Sequence, residues 1–284
     1  MTKKALMIVA VIASIMAGLF VFMPEDVLME PLMTPLAYLG SKPYVTLFGT
    51  WVLSVPSSTV IVYALGVQIM VLGVTLNRRG HAIWAWSLIF WGIGTILAGT
   101  SYQAFGYELK CAGREYCLFT SWFELAYLFS TAISIALMGY AFSKDLMPKA
   151  LGTRFRKVIG SALVLYVVLL MLGAATSTRF LISYELFTLF WMPFFVFYFI
   201  RNIINVRKTS ARLDKAFIVF WLFFLGVNVA YYVYHFIGVT DFLFTSYGLW
   251  FSDNDVLHVG LILWFVYFQL RIMPELDGVR NRDS

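Results

Sequence analysis

The sequence predicts an all-α fold: a polytopic membrane helix bundle of eight transmembrane helices, one N-terminal anchor followed by a seven-helix core. Three observations predict it. Hydrophobic residues make up 61% of the 284-residue chain and charged residues only 13%, well below the roughly one quarter charged of a soluble domain. Apolar runs of about 20 residues, the length that crosses hydrocarbon as a helix, recur from end to end. Lysine and arginine concentrate in every second gap between those runs.

The first run, 5–23, follows "MTKK". Its apolar core is long and "AGLFVFMPED" lacks a small-x-small cleavage site, so it reads as an uncleaved anchor. Residues 24–56 are interrupted by Pro24, Pro31, Pro35 and Pro43; no spanning helix fits there, and 44–56 reads as an interfacial or re-entrant piece. The core runs are 57–76, 82–104, 118–142, 157–176, 180–200, 216–237 and 255–273. Pro193 is expected to kink the sixth of the eight spans. The stretches "SKDLMPKALGTRFRK" and "RNIINVRKTSARLDK" read as cytoplasmic loops, and His81 in "LNRRGH" as an interfacial residue. No repeat or polar linker divides residues 1–284, so a single transmembrane domain is expected, with 57–273 as its seven-helix core.

Orientation follows from charge. With the N-terminus in the cytoplasm, 17 of the 21 Lys and Arg fall on the inner side, and only Lys42, Lys110, Arg114 and Arg179 fall outside. Ten of the 15 acids, from Glu25 to Asp255, are outer. The positive-inside rule then places both termini in the cytoplasm of a cell inner (plasma) membrane. The absence of an Asn-x-Ser/Thr sequon suits a bacterial inner membrane. The net charge of +6 is therefore a topology signal with attraction to lipid head groups, not a nucleic-acid surface. Membrane lipids are the expected partners.

Both cysteines lie in the outer loop "YELKCAGREYC". A Cys111–Cys117 disulfide on the oxidising side is the favoured reading, and two free thiols the alternative.

Polar side chains gather at the outer ends of five spans: Ser101, Gln103 and Glu108; Glu124; Glu185; His235; and the run "SDNDVLHVGLILW" with Asp253, Asn254, Asp255 and His258. Counted from residue 118, Glu124 would lie about 10 Å inside the boundary at 1.5 Å per residue. A carboxylate in hydrocarbon costs several kcal/mol unless paired or hydrated, and a shared outward-facing cavity lined by Ser101, Gln103, Glu124, Glu185, His235, Asp255 and His258 accounts for them together. Helix capping and interhelical hydrogen bonds are the plainer explanation of each one. Ser252 or Asp253 suits an N-cap and Asp255 a first turn; His258, one turn deeper, shares a helix face with Asn254 and Asp255.

The stretch "NDVLHVGLILW", with Ser101 on an earlier helix and Glu124 on the next, resembles the CREST superfamily of alkaline ceramidases and progestin and adipoQ receptors. Asn254 stands where that family's first last-helix histidine falls, His258 where the second does, and Phe105 where its early-helix histidine belongs. The resemblance implies a seven-helix bundle in which zinc activates a water against a lipid amide or ester. Transposed here, it makes His258 and His235, with Glu124 or Asp255, the ligands, Glu124 the alternative general base, and Ser101 and Asp255 catalytic partners; the cavity reading adds Gln103, Glu185 and Asn254 as expected binding residues. Catalytic zinc needs about three protein ligands and one open position. The expected function is thus a zinc-dependent membrane amidase or esterase. The alternatives are a non-enzymatic module binding a lipid-like ligand or a partner through the same cavity, and a proton-coupled transporter. Retinal binding is not expected, because every lysine is read in a loop or tail.

Overall fold

The computed structural model describes residues 3–209 and 211–283. The side chains of Lys3, Lys4, Arg280, Arg282 and Asp283, counted above on the inner side, lie outside those described. Among the described residues seven helices are long and apolar enough to cross a membrane. They are α3 (Pro56–Arg78), α4 (Ala82–Gly99, carried on by a wide turn to Ala104), α6 (Trp122–Asp145), α7 (Lys149–Ala175), α8 (Tyr184–Thr209), α9 (Arg212–Phe236) and, after the short α10 (Val239–Tyr247), α11 (Asp253–Tyr267), whose helical path runs on past Phe268–Ile272 into α12 (Met273–Asp283). Preceding them is α1 (Lys3–Val21), with a shorter apolar stretch at Leu6–Val21.

The bundle is built around α6. Within its most apolar window 83% of residues are buried, against 22% in α8 and α9, so α6 meets protein on all sides while the others show a face to the surroundings. Small residues make this possible: without a hydrophobic drive between helices in lipid, close backbone approach supplies the packing energy. A methyl on Gly94 would sit 2.6 Å from Thr131 Oγ1, and one on Gly139 2.4 Å from the Tyr198 hydroxyl. Ser87 Oγ donates to the Ser134 carbonyl at 2.8 Å, joining α4 to α6. Between α3 and α4 the contact is backbone against backbone, since a Cβ on Gly92 would lie 2.7 Å from the Gly66 carbonyl oxygen.

Two stretches expected as cytoplasmic loops are largely helical. Helix α7 begins at Lys149 and α8 runs to Thr209, so both extend past the expected spans 157–176 and 180–200. A hydrophobicity window registers only the lipid-facing part of a helix, whereas the backbone ladder continues into water at no cost. The end of the bundle that carries these extensions is tied by polar contacts. Trp84 Nε1 donates to Asp145 Oδ2 at 2.8 Å, Asn205 Nδ2 donates to Asp214 and to the Leu146 carbonyl, and Arg79 and His81 both meet Asp277.

At the opposite end residues 22–55 fold as a cap. They contain α2 (Pro35–Gly40) and an antiparallel hairpin of β1 (Tyr44–Leu47) and β2 (Trp51–Ser54), paired Tyr44 to Ser54 and Leu47 to Trp51. The piece 44–56 is thus a hairpin with four-residue strands, far short of the 9–11 residues a spanning strand needs. A second segment, 105–121, lies against the cap through Met29 N–H to Cys117 C=O, Cys117 N–H to Met33 C=O and Phe119 N–H to Val27 C=O. The favoured Cys111–Cys117 disulfide is present and closes this second segment.

Candidate functional site

Helix α4 does not stop cleanly. Its end widens into a π turn, Thr100–Ala104, closed by a 2.7 Å bond from Phe105 N–H to the Thr100 carbonyl. Such a bulge inserts one residue into a turn and re-aims the side chains around it. Here it turns Ser101 and Gln103 into the protein, both buried. The short helix α5 (Gly106–Lys110) follows at once. Gly106 is required there, because a Cβ would lie 2.3 Å from the Tyr38 hydroxyl and 2.5 Å from the Ser101 carbonyl.

Across from the bulge, Ser121 occupies the N-cap of α6 and Glu124 is the third residue of the helix. Glu124 therefore lies in the first turn, not two turns inside a longer span. The chain from 118 to 121 is non-helical, and the helix starts only at Trp122. Glu124 Oε1 accepts from Ser101 Oγ at 2.7 Å and from Lys110 Nζ at 2.8 Å, and the Ser101 and Ser121 hydroxyls are 2.7 Å apart. All four side chains are buried. A buried pair is tolerated when good geometry and further hydrogen bonds offset the desolvation of both charges, and the Ser101 hydroxyl provides one such bond.

Lys110 was counted as an outer-loop cation; it is instead the buried counter-ion of Glu124. Burial of the lysine follows from the disulfide beside it, since Cys111 is fully buried and Leu118 N–H donates to the Lys110 carbonyl. The only sequence signal was an intramembrane glutamate in want of a cation, with four outer candidates.

Lys110 also forms part of a cleft of about 340 Å³ between the cap and the bundle. Its walls carry Lys42, Lys110 and Arg179, the aromatic rings of Tyr38, Tyr102 and Phe119, the apolar Met29, Pro31 and Met33, and one acid, Glu30. Lys42 Nζ sits 3.9 Å from the Tyr38 ring centroid, and Arg179 stacks on Phe119 while pairing with Glu30. Burial, reinforced by the Lys110 charge, lowers the Lys42 amine from 10.5 to about 8. Arg114, the fourth of the cations expected on that side, lies elsewhere, 3.7 Å from Glu25.

The other expected site residues form a separate group. His235 Nδ1 meets Asp253 Oδ2 at 2.6 Å with the imidazole largely exposed. Asp255, fully buried, completes a capping box with Ser252: its carboxylate accepts from the Ser252 N–H at 2.6 Å, and the Ser252 Oγ accepts from the Asp255 N–H at 3.2 Å. Capping accounts for Asp255 Oδ2, whereas Oδ1 is buried with no hydrogen-bond partner among the described residues. His258 Nδ1 is buried with no hydrogen-bond partner, as is Gln103 Oε1. Asn254 is partly exposed, and Glu185 is exposed in the first turn of α8.

No hydrogen bond or ion pair among the described residues joins the Ser101–Glu124 group to the His235–Asp253 or Ser252–Asp255 pairs. Among them there is also no group of three or more His, Cys, Asp or Glu placed to hold a metal ion. The expected set of His258, His235 and Glu124 is not assembled: Glu124 is engaged by Lys110 and Ser101, and His235 by Asp253. No protein-family model, curated protein or solved structure matches the chain, so a functional reading rests on its own residues.

Proposed function

We propose that this is a multi-pass membrane protein that binds an anionic amphiphile in the cleft between its outer cap and the bundle. The observation that carries the reading is charge placement: three of the four basic residues assigned to the outer side, Lys42, Lys110 and Arg179, line one cleft whose single acid among the described residues is Glu30. Two of them are partly neutralised, Lys110 by Glu124 and Arg179 by Glu30. Lys42 faces a tyrosine ring and supplies the free positive charge. A carboxylate or phosphate head would sit against Lys42 and Arg179. Met29, Met33 and Phe119 offer the adaptable apolar contact suited to the tail.

In this reading α1 is an eighth span, both termini are cytoplasmic, and the cap faces outward. The 17-to-4 division of basic residues supports that orientation. So does the clustering of Arg79, Lys144, Lys149, Arg207, Lys208 and Arg212 at the helix ends opposite the cap.

The experiment is a binding titration of purified protein with a fatty acid, a lysophosphatidic acid and a neutral monoacylglycerol of equal chain length, beside Lys42→Gln and Arg179→Gln variants. Saturable binding of the anionic pair, weakened in both variants, with little binding of the neutral lipid, is expected. Equal binding of all three, or affinity unchanged in the variants, would overturn the proposal.

A further inference from the structure

The β1–β2 hairpin is built for contact with something apolar. Residues 43–55, "PYVTLFGTWVLSV", contain no charged side chain. Phe48 is 98% exposed, Trp51 56%, Tyr44 47% and Val45 44%. Phe48 adopts a positive φ of 51° at the turn, a conformation that bulky residues avoid and that nothing within the fold rewards with a contact. A two-stranded ribbon showing these side chains to water would be an aggregation hazard.

The position of the hairpin says what covers it. β2 runs through Val55 directly into α3, whose outward residues Val60 and Val67 are 69% and 50% exposed on the lipid-facing side of the bundle. The other side of the hairpin is pinned at the same end of the neighbouring helix: Trp51 packs edge-on to Phe105, and Val52 N–H donates to Glu108 Oε1 at 2.8 Å. The exposed aromatics therefore continue the apolar surface of α3 upward, at the level where α3 and α4 leave the membrane. Tyrosine and tryptophan favour that level, with ring in the acyl boundary and polar tip among head groups.

We infer that the hairpin seats its tip, Phe48 and Trp51 foremost, in the head-group layer of the outer leaflet as a non-helical membrane anchor for the cap. The depth is bounded from below. The outer edge of β1 has no strand beside it among the described residues, and hydrocarbon does not tolerate unpaired backbone amides, so the ribbon stops about where amphipathic interfacial segments do, roughly 5–10 Å into the boundary. The inference is independent of the ligand reading of the cleft.

Site-directed spin labelling in proteoliposomes of mixed phosphatidylethanolamine and phosphatidylglycerol tests it. Both native cysteines are disulfide-bonded, so Phe48→Cys provides a single reactive thiol, and Thr50→Cys reads the same turn with Phe48 retained. Val67→Cys, on the lipid-facing side of α3, and Lys208→Cys, at an exposed helix end, give the lipid and aqueous references. The expected ratio of oxygen to nickel-chelate collision at both hairpin sites is severalfold above that of Lys208→Cys and below that of Val67→Cys. A ratio equal to the aqueous reference would overturn the inference. Exclusion of both reagents would overturn it too, by showing the tip covered by protein, whether a partner or a second copy.

Discussion

Lys110 Nζ lies 2.8 Å from Glu124 Oε1, with both side chains almost wholly removed from solvent. The pair joins the disulfide segment to the first turn of the central helix, so the cap and the bundle share one electrostatic joint. Glu124→Leu or Lys110→Met leaves the other charge buried and unpaired, and each is expected to cost about 3–5 kcal/mol. The double variant, which buries no charge, should recover most of that loss. Thermal unfolding in detergent, read as a double-mutant cycle, checks this; additive losses would show that the two residues act independently.

The disulfide closes a loop of six residues in sequence separation. For so short a loop the chain-entropy contribution is about 2 kcal/mol. Reduction, or a Cys111→Ser/Cys117→Ser variant, is expected to loosen the cap before the helices, because Cys117 also pairs with Met29 and Met33 through the backbone. Limited proteolysis should then cut first within 22–55, with the α6 region still protected.

Ligand affinity should depend on pH through Lys42. Its amine is lowered to about 8, chiefly by burial, so it is charged at pH 7 and loses its proton as pH rises through about 8. Anion binding is expected to weaken across that step, while Lys42→Gln binds less tightly at pH 7 and shows no step. The stability effect has the opposite sign: between about 8 and the ordinary 10.5 only the unfolded chain keeps the proton on this amine, so the penalty for burying its charge fades and stability rises. A titration of the same midpoint in the variant would assign the effect to another group.

Gly92 faces the α3 backbone, and its added methyl would meet the Gly66 carbonyl at 2.7 Å and Met70 Cγ at 2.5 Å. The carbonyl cannot rotate away as a side chain would. Gly92→Ala is expected to destabilise by about 1–3 kcal/mol through overpacking, measured by thermal melt, whereas Gly160→Ala, with nothing within 4 Å of the added methyl, should be neutral.

His235 and Asp255 should separate sharply. The His235–Asp253 pair has an exposed imidazole, so His235→Ala should change stability by no more than about 1 kcal/mol. Asp255→Ala keeps the backbone N–H that Ser252 Oγ caps but removes a buried acceptor for the Ser252 amide and hydroxyl, an expected loss of about 1–3 kcal/mol. Equal effects in a melt would contradict the capping account.

Membrane class, the seven core helices and the cysteine pairing were legible because they depend on local quantities: run length, composition and the spacing of two cysteines in one loop. Helix ends were less legible, as at Lys149, Thr209 and Trp122, where hydropathy and hydrogen bonding part company. The polar residues at the cap end of the bundle are legible as a set, yet their grouping is not. Ser101 and Glu124 do meet, as their common level suggested; His235 and Asp255 belong to a different pair of helices and find partners in Asp253 and Ser252.

Composition and charge alone determined that this chain lives in a membrane and which ends carry its basic residues, since transfer free energies act residue by residue and need no knowledge of the fold. Only the tertiary structure decided that Lys110 turns inward to Glu124, that Lys42, Lys110 and Arg179 share one cleft, and that residues 44–54 pair as a hairpin. The reason is that a charge or a strand is satisfied by whichever partner the packing brings within about 3 Å, and a π turn, a glycine contact or a disulfide can change that partner without altering the run of hydrophobic residues.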